Sequence, residues 1–143
     1  MKACVIDANV AVKWFLDIED EQLVDNAKTL LDSHAQGEVQ FVVPDLFWAE
    51  MGNIFWKAVR LKRCSRQDAE TSLDTLQAGD WLTIPSQGLL DQAFQIALSF
   101  HRTVYDSLYV ALASEFKSEL ITADKKLVNA LTGQFPVKWL GAL

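Results

Sequence analysis

Four acidic residues, widely separated along the chain, have the side chains in this sequence best suited to chemistry. They are Asp7, Glu50, Asp106 and Asp124, and each interrupts or borders an apolar segment. Clustered carboxylates repel one another, so such a cluster is tolerable when a hard divalent cation lies among them. A carboxylate-bound Mg²⁺ or Mn²⁺ in an open cleft is suited to cutting or moving phosphate esters. This chemistry requires that the fold bring the four acids to one place.

Short apolar runs alternate with helical patterns along the chain and indicate an α/β fold. Strands are predicted at 3–6, 40–43, 81–84, 120–122 and 137–140, the last of them at an edge. Helices are predicted at about 20–36, 44–63, 89–100, 105–116 and 124–131, with a helical turn at 10–16 and a further helix capped by Ser65 with Asp68 as its partner. The pattern predicts one domain, 1–143, with a central parallel sheet of about four to five strands and helices on both faces.

The predicted topology places all four acids at the same edge of this sheet. Parallel strands end at one edge, and ligands of such sheets bind there. Asp7 directly follows the first strand, and Asp124 lies two residues past the fourth. Glu50 lies in the early turns of the helix that leaves the second strand. Asp106 lies in the first turn of a helix that must begin at this edge, because it feeds the fourth strand through a short loop.

Each acid also has a simpler interpretation when it is taken alone. Asp7 could form a turn, Asp124 could cap a helix, and Asp106 could be favoured by a helix dipole. Glu50 shares a helical stripe with apolar residues, so it points toward the core or its rim. A glutamate there is uncommon unless it is paired or metal-bound. A single metal site explains all four positions and is therefore the preferred hypothesis.

The charge and composition restrict the classes of function. A net charge of −6 argues against broad, non-specific nucleic-acid binding. One basic run is an exception to this acidic charge: Lys57, Arg60, Lys62, Arg63 and Arg66. For most of these residues the favoured interpretation is a solvated helix end, where cations complement the helix dipole. A role facing phosphate stays open for one or two of them. The two cysteines form no CxxC motif, and no apolar run is long enough to cross a bilayer. No secretory signal is expected at residues 1–7, because their apolar stretch is short and meets Asp7 at once. We therefore expect a cytoplasmic protein with no membrane partner.

The remaining residues with chemical potential form no second constellation. His34 and His101 are isolated from any cysteine or second histidine, so a zinc site is not expected. The five tryptophans are expected mainly in the core and at interfaces. Trp14 and Trp56 are possible base-stacking residues near the acids. Trp48 and Trp56 are possible contacts of a dimer.

Four segments of the sequence resemble PIN-domain proteins of the VapC toxin type. They are VIDANVAVKWF at 5–15, VPDLFWAEMGNI at 43–54, YDSLYVALA at 105–113 and LITADKKL at 120–127. The segments occur in the family order and span nearly the whole chain. The resemblance implies a Mg²⁺- or Mn²⁺-dependent endoribonuclease that hydrolyses RNA phosphodiester bonds. It also implies that the protein is the toxin of a toxin–antitoxin pair, with a cognate antitoxin as partner, and often a homodimer.

The resemblance also assigns roles to particular residues. The family's acidic quartet falls on the four acids named above, and its small polar companions fall on Asn9 and Thr122, which would orient ligands or water. Asp7, Asp106 and Glu50 are expected to hold a first ion, and Asp124 to orient a water or help to bind a second ion.

The residues that follow Asp124 depart from the family pattern. Many family members carry a further acid shortly after the last one, whereas Lys125 and Lys126 stand here. This departure puts a second, fully occupied metal position in question and could place a cation near the scissile phosphate.

An antitoxin is expected to cover the acidic cleft, with an arginine among the carboxylates.

Three other functions compete with this interpretation. A phosphatase with Asp7 as its nucleophile would need an acid where Asn9 stands. A receiver-type signalling module would need a phosphoacceptor aspartate where Pro85 and Ser86 follow the third strand. A non-catalytic interaction domain with the PIN fold would not need four intact acids.

Overall fold

Five strands form the centre of the structure, a computed structural model that describes residues 1–16 and 21–143. The strands are β1 (Lys2–Ile6), β2 (Val39–Pro44), β3 (Trp81–Ile84), β4 (Glu119–Thr122) and β5 (Val137–Trp139). They form one sheet in the order β3-β2-β1-β4-β5, and every neighbouring pair is parallel. The predicted α/β class and parallel sheet are confirmed, and β5 lies at an edge as expected.

Seven α-helices connect and surround the strands in the described part of the chain. They are α1 (Ala8–Ala11), α2 (Glu21–Ala35), α3 (Leu46–Arg60), α4 (Arg66–Gln77), α5 (Leu90–Phe100), α6 (Val104–Glu115) and α7 (Lys125–Leu131). Short 3₁₀ turns lie at Val12–Trp14, Ser86–Leu89 and Leu140–Ala142. Among residues 1–16 and 21–143, no helix is both long enough and apolar enough to cross a membrane.

The predicted helices are recovered with small shifts at their ends. The predicted start of α2 at Asp20 lies outside the described residues. The helix expected to reach residue 63 ends at Arg60, because Lys62 adopts the left-handed conformation with φ of 60°. That conformation is uncommon for a residue with a side chain, and nothing in the local sequence indicates it.

The central strands are buried on both faces. Three consecutive residues of β1 and four of β2 are buried: Cys4, Val5, Ile6, Phe41, Val42, Val43 and Pro44. Successive side chains of a strand point to opposite faces of the sheet, so both faces must be covered by other elements. The segment of α6 from Ser107 to Ala113 is buried as well, which makes α6 a central helix of the core.

The order of the sheet reverses between β1 and β4. The chain builds β1, β2 and β3 outward on one side, and β4 and β5 outward on the other. The connections that leave β1 and β4 therefore diverge and open a crevice at the carboxyl ends of these two strands, where open α/β sheets bind ligands. The backbone N–H of Asp7 donates to the carbonyl of Ile121 at 3.1 Å. The hydrogen bonds between the chain segments of β1 and β4 therefore extend as far as Asp7.

Side-chain caps fix where several helices begin. Ser65 accepts a hydrogen bond of 3.0 Å from the backbone N–H of Asp68, as predicted, and Thr103 accepts one of 3.0 Å from Asp106. Asp7 and Asp124 cap α1 and α7. Each cap satisfies a backbone donor that the first turn of a helix leaves without a partner. The capping role considered for Asp124 is therefore realised, whereas Asp7, considered as a turn former, also caps a helix.

Candidate active site at the carboxyl edge of the sheet

A network centred on Thr122 joins the ends of β1 and β4. The hydroxyl of Thr122 donates to Oδ2 of Asp7 at 2.9 Å. Oγ1 of Thr122 also accepts hydrogen bonds from Nδ2 of Asn9 at 3.2 Å and from the backbone N–H of Asp124 at 3.1 Å. A hydroxyl has one donor and two acceptor positions, so these three bonds use its full capacity. The network thus brings together four of the residues predicted to form the site.

Asn9 connects the same two strand ends through its other amide atom. Its Oδ1 accepts a hydrogen bond of 3.0 Å from the backbone N–H of Ala123, while its Nδ2 donates to Thr122. The amide thereby braces the turn after β4 against the first turn of α1. The predicted position of Asn9 beside Asp7 and Thr122 agrees with this geometry.

Asp124 is held at the edge by the beginning of α7. Its Oδ1 accepts hydrogen bonds of 3.0 and 3.2 Å from the backbone N–H groups of Lys126 and Leu127. Its own backbone N–H is bound to Thr122. Both ends of the residue are therefore fixed, which limits where the second carboxylate oxygen can lie.

Glu50 reaches the site from α3 and is half-buried. Its Oε1 accepts a hydrogen bond of 2.5 Å from the hydroxyl of Tyr109, a residue that is only 1% exposed. The amphipathic pattern of α3 predicted that Glu50 would point to the core or its rim, and the structure places it at the rim. Sequence reasoning missed Tyr109, which lies in an apolar helix and was indistinguishable there from a packing residue. Its spacing of three from Asp106, on the same side of α6, was the available signal.

Asp106 lies in the first turn of α6, and both burial and neighbouring charges affect its pKa. Burial raises its pKa, and the neighbouring charge of Asp124 raises it further. The Thr103 side chain and Arg102 act in the opposite direction. The charge of Asp124, the residue that caps α7, therefore acts on Asp106 at the beginning of α6.

Asp7 is the most buried of the four acids and is linked to the others by charge. Burial raises its pKa to about 7, and Glu50 and Asp106 add to this by repulsion, while the bonds from Thr122 and Asn9 oppose it. Burial also raises the pKa of Glu50, with a contribution from Asp106. Charge repulsion thus links Asp7, Glu50 and Asp106 with one another, and Asp106 with Asp124.

The donor chemistry of this neighbourhood suits a hydrated cation better than a closed cage. Within residues 1–16 and 21–143, no three carboxylate, imidazole or thiol groups stand close enough together to ligate one metal ion directly. Mg²⁺ keeps several of its waters and is commonly held by only one or two carboxylates. The carboxylate oxygens present, set in a partly buried cluster with excess negative charge, fit an ion bound in that way.

Two lysines, Lys125 and Lys126, begin α7 directly after Asp124. The ammonium of Lys125 lies 4.5 Å from the centroid of the Trp139 ring, an arrangement that favours a cation. Trp139 is the residue of β5 that pairs with Thr122 of β4, so its backbone is beside the network described above. Lys126 is exposed on the first turn of α7. Both lysines are therefore close to the acids along the chain and face solvent.

The other residues singled out by the sequence lie elsewhere. His34 stacks on Phe41 with ring centroids 4.1 Å apart, and His101 is exposed where α5 ends. The residues of the basic run at 57–66 that were singled out are exposed, and Arg66 pairs with Glu70 at 2.7 Å.

Two of the three tryptophans singled out by the sequence are tied into the core. Trp14 donates to the carbonyl of Ala27 at 2.8 Å and stacks on Phe41, and Trp48 donates to Thr83 at 3.1 Å. Trp56 is 57% exposed, and its ring lies 5.2 Å from the guanidinium carbon of Arg60. Of the three, Trp56 alone presents most of its ring to solvent.

Comparison with known proteins agrees with this architecture. Residues 4–130 match the PIN domain family. The chain is 30% identical over 127 residues to ribonuclease VapC3 of Pyrobaculum aerophilum, covering 87% of this chain and 92% of that protein. The fold is similar to a chain of a toxin–antitoxin complex from Klebsiella pneumoniae, with a TM-score of 0.62, 18% identity and coverage of 94% and 95%. It is also similar to a chain of VapBC2 from Rickettsia felis bound to a promoter DNA fragment, with a TM-score of 0.67, 12% identity and coverage of 96% and 98%. The chain belongs to the PIN domain family and is a relative of the VapC ribonucleases.

Proposed function

We propose that this protein is a divalent-cation-dependent endoribonuclease and the toxin of a toxin–antitoxin pair. The observation that carries the proposal is the acidic cluster at the crevice between β1 and β4. There the charges of Glu50 and Asp106 add to burial in raising the pKa of Asp7, and the charge of Asp124 adds to burial in raising the pKa of Asp106. Such repulsion costs stability unless a cation offsets it, and a cation bound there is equipped for phosphodiester chemistry. RNA as the substrate is inferred from the ribonuclease relative.

Asp7, Glu50 and Asp106 would hold the cation partly through its bound waters, and Asp124 would orient water or help to hold a second ion. When bound, the cation supplies positive charge against the scissile phosphate and lowers the pKa of the attacking water. The chain's own contribution is positioning, because Thr122 and Asn9 fix the side chain of Asp7 and the turn after β4. These bonds orient the carboxylates before the substrate arrives.

We propose that Lys125 contacts the RNA backbone beside this site. The total charge of −6 disfavours approach of a polyanion, so local cations must guide it. Lys125 directly follows Asp124 and is held over the ring of Trp139. We expect its ammonium to contact a phosphate close to the scissile bond.

The decisive experiment is cleavage of a generic RNA by the purified protein with and without Mg²⁺ or Mn²⁺. Cleavage should require the cation and should be lost in Asp7→Asn, which preserves the size of the side chain. Asp91→Asn, on the exposed surface of α5, serves as the matched control and should cleave as the wild type does. Activity of Asp7→Asn at the wild-type level would refute the assignment. Absence of cleavage by every form, with intact RNA binding, would favour a non-catalytic PIN-fold domain.

An inhibitory partner belongs to the same proposal. Structurally similar chains come from a toxin–antitoxin complex and from VapBC2, and a toxin needs an inhibitor. We propose a cognate antitoxin that covers the acidic crevice, with an arginine placed among the carboxylates. Purification of the chain together with the product of an adjacent gene tests this, and repeated recovery of the chain alone from its native operon would count against it.

A homodimer is also proposed, and α5 offers a face for it. Leu90, Phe94 and Leu98 are four residues apart on one side of that helix and are 48%, 50% and 59% exposed. An apolar stripe of this kind is favourable when a second surface covers it. Light scattering should give the mass of two chains for the wild type and of one chain for Phe94→Glu, and a dimer unchanged by that substitution would exclude this face.

A further inference from the structure

The hydroxyl of Tyr109 connects two parts of the site that come from distant places in the chain. It donates a hydrogen bond of 2.5 Å to Oε1 of Glu50 on α3. Tyr109 itself lies on α6, three residues after Asp106, so one helix delivers a carboxylate and a phenol to the same side. The ring is 1% exposed and packed in the core, which fixes where the hydroxyl lies.

The surroundings of the phenol include the residue after Asp7. The backbone of Ala8 lowers the pKa of Tyr109, whereas burial, in the first place, and the charges of Asp7 and Glu50 raise it. Ala8 begins α1 directly behind Asp7. The phenol therefore lies between the backbone that carries Asp7 and the side chain of Glu50.

The arrangement determines how the phenol can act. A phenol has a single proton, and here that proton is committed to Glu50. One oxygen of Glu50 is thereby occupied, while no described residue donates a hydrogen bond to its Oε2. The side chain is thus held in one orientation with one oxygen available.

We propose that Tyr109 is a positioning residue of the acidic site, which holds Glu50 at a fixed place relative to Asp7 so that Oε2 of Glu50 is available to a divalent cation. The inference rests on the proposed function, because it assumes that the acids bind a cation. Tyr109 does not touch the cation or the RNA in this account. Its effect is exerted through Glu50, and groups that orient ligands in this way commonly alter metal affinity by about 10- to 100-fold.

The test is the affinity of the RNA-free protein for Mn²⁺, measured by calorimetric titration. Tyr109→Phe keeps the ring and removes only the hydroxyl, and we expect it to bind Mn²⁺ about 10- to 100-fold more weakly than the wild type. Tyr105→Phe is the matched control, since Tyr105 lies on the same helix and is 62% exposed. The control should bind as the wild type does. Equal affinity of Tyr109→Phe and the wild type, or equal losses in both variants, would overturn the inference.

A measurement on the unmodified sequence covers the case in which Tyr109→Phe does not fold. The chain has only two tyrosines, so incorporation of 3-fluorotyrosine gives two fluorine resonances. Titration with Mg²⁺ should shift the resonance of Tyr109, with the same dissociation constant that calorimetry gives for Mg²⁺. A Tyr109 resonance that stays unchanged at saturating Mg²⁺ would overturn the inference.

The two proposals fail in different ways. Wild-type protein that binds neither Mn²⁺ nor Mg²⁺ would overturn the proposed function and the role of Tyr109 together. Wild-type protein that binds the cation and cleaves RNA, while Tyr109→Phe binds Mn²⁺ equally well, would overturn the role of Tyr109 alone. The result that supports both is cation-dependent cleavage with a selective loss of Mn²⁺ affinity in Tyr109→Phe.

Discussion

The hydroxyl of Thr122 is bound at 2.9 Å to Oδ2 of Asp7, and this contact decides which oxygen of the buried carboxylate stays accessible. Oδ2 receives the short bond, whereas Oδ1 receives only a long contact of 3.5 Å from the backbone N–H of Asn9. Because Thr122 also accepts two hydrogen bonds, its proton has little freedom to turn elsewhere. Oδ1 is therefore the better candidate for binding a cation.

Removal of that proton donor should impair the site without disturbing the sheet. Thr122→Val keeps the branched shape and eliminates the hydroxyl, so Asp7 and the amide of Asp124 both lose a partner. We expect the RNA cleavage rate to fall about 10- to 100-fold and the free energy of unfolding to fall by about 1–3 kcal/mol. Thr122→Ser retains the hydroxyl and should stay within a few-fold of the wild type. Equal activity of the valine and serine variants would show that the hydroxyl has no role.

The stability of the cation-free protein should increase as the pH falls from 8 to 5. Asp7 has a pKa of about 7 in the folded state and an ordinary value of 3.8, so the folded protein binds the proton more tightly than the unfolded chain does. The stability that protonation provides is lost as the pH rises toward 7. For this one group the difference between pH 5 and pH 8 is about 2–3 kcal/mol in the free energy of unfolding.

Urea denaturation in the presence of a chelator measures this effect. Glu50 and Asp106 have raised pKa values as well and contribute in the same direction. Asp7→Asn cannot ionise at residue 7, so its stability should vary less with pH, and at pH 8 it should exceed that of the wild type. A wild-type protein that is more stable at pH 8 than at pH 5 without a cation would contradict the prediction.

Much of the fold and the placement of the acids could be predicted from the sequence, because both follow from simple patterns. Continuous apolar runs identified the strands, and the alternation with helices identified a parallel sheet. The edge at which Asp7 and Asp124 lie then followed from chain direction alone. The bond between Asp7 and Thr122 depends on the order of strands in the sheet, which pattern reasoning did not specify.

Other features depend on three-dimensional packing that no local pattern encodes. Tyr109 occupies an apolar helix and looks like a core aromatic residue until α3 is seen to bring Glu50 to its hydroxyl. The early end of α3 depends on the left-handed conformation of Lys62, a residue type with no preference for it. The position of Lys125 over Trp139 requires β5 to lie beside β4.

Divalent cations should raise the melting temperature of the RNA-free protein. A ligand that binds only the folded state at 100 times its dissociation constant adds about 2.7 kcal/mol to the free energy of unfolding. For a chain of this size, that corresponds to a rise of roughly 5–10 °C. Differential scanning fluorimetry with millimolar Mg²⁺ or Mn²⁺ measures it, and Asp7→Asn should show a much smaller rise. No shift for the wild type at millimolar cation would argue against a folded-state metal site.

Lys125 should contribute to binding of RNA more than to the chemical step. Lys125 directly follows Asp124 in the chain, its ammonium is held over the ring of Trp139, and we expect it to meet a phosphate on approach. Lys125→Ala should therefore raise KM about 3- to 10-fold with little change in kcat. Each phosphate contact of single-stranded RNA contributes about 0.7 to the slope of log affinity against log salt, so the slope should decrease by about that amount. Lys28→Ala, on the exposed surface of α2, controls for the change in net charge and should change neither quantity. A decrease in kcat at unchanged KM would instead indicate that Lys125 acts on the transition state.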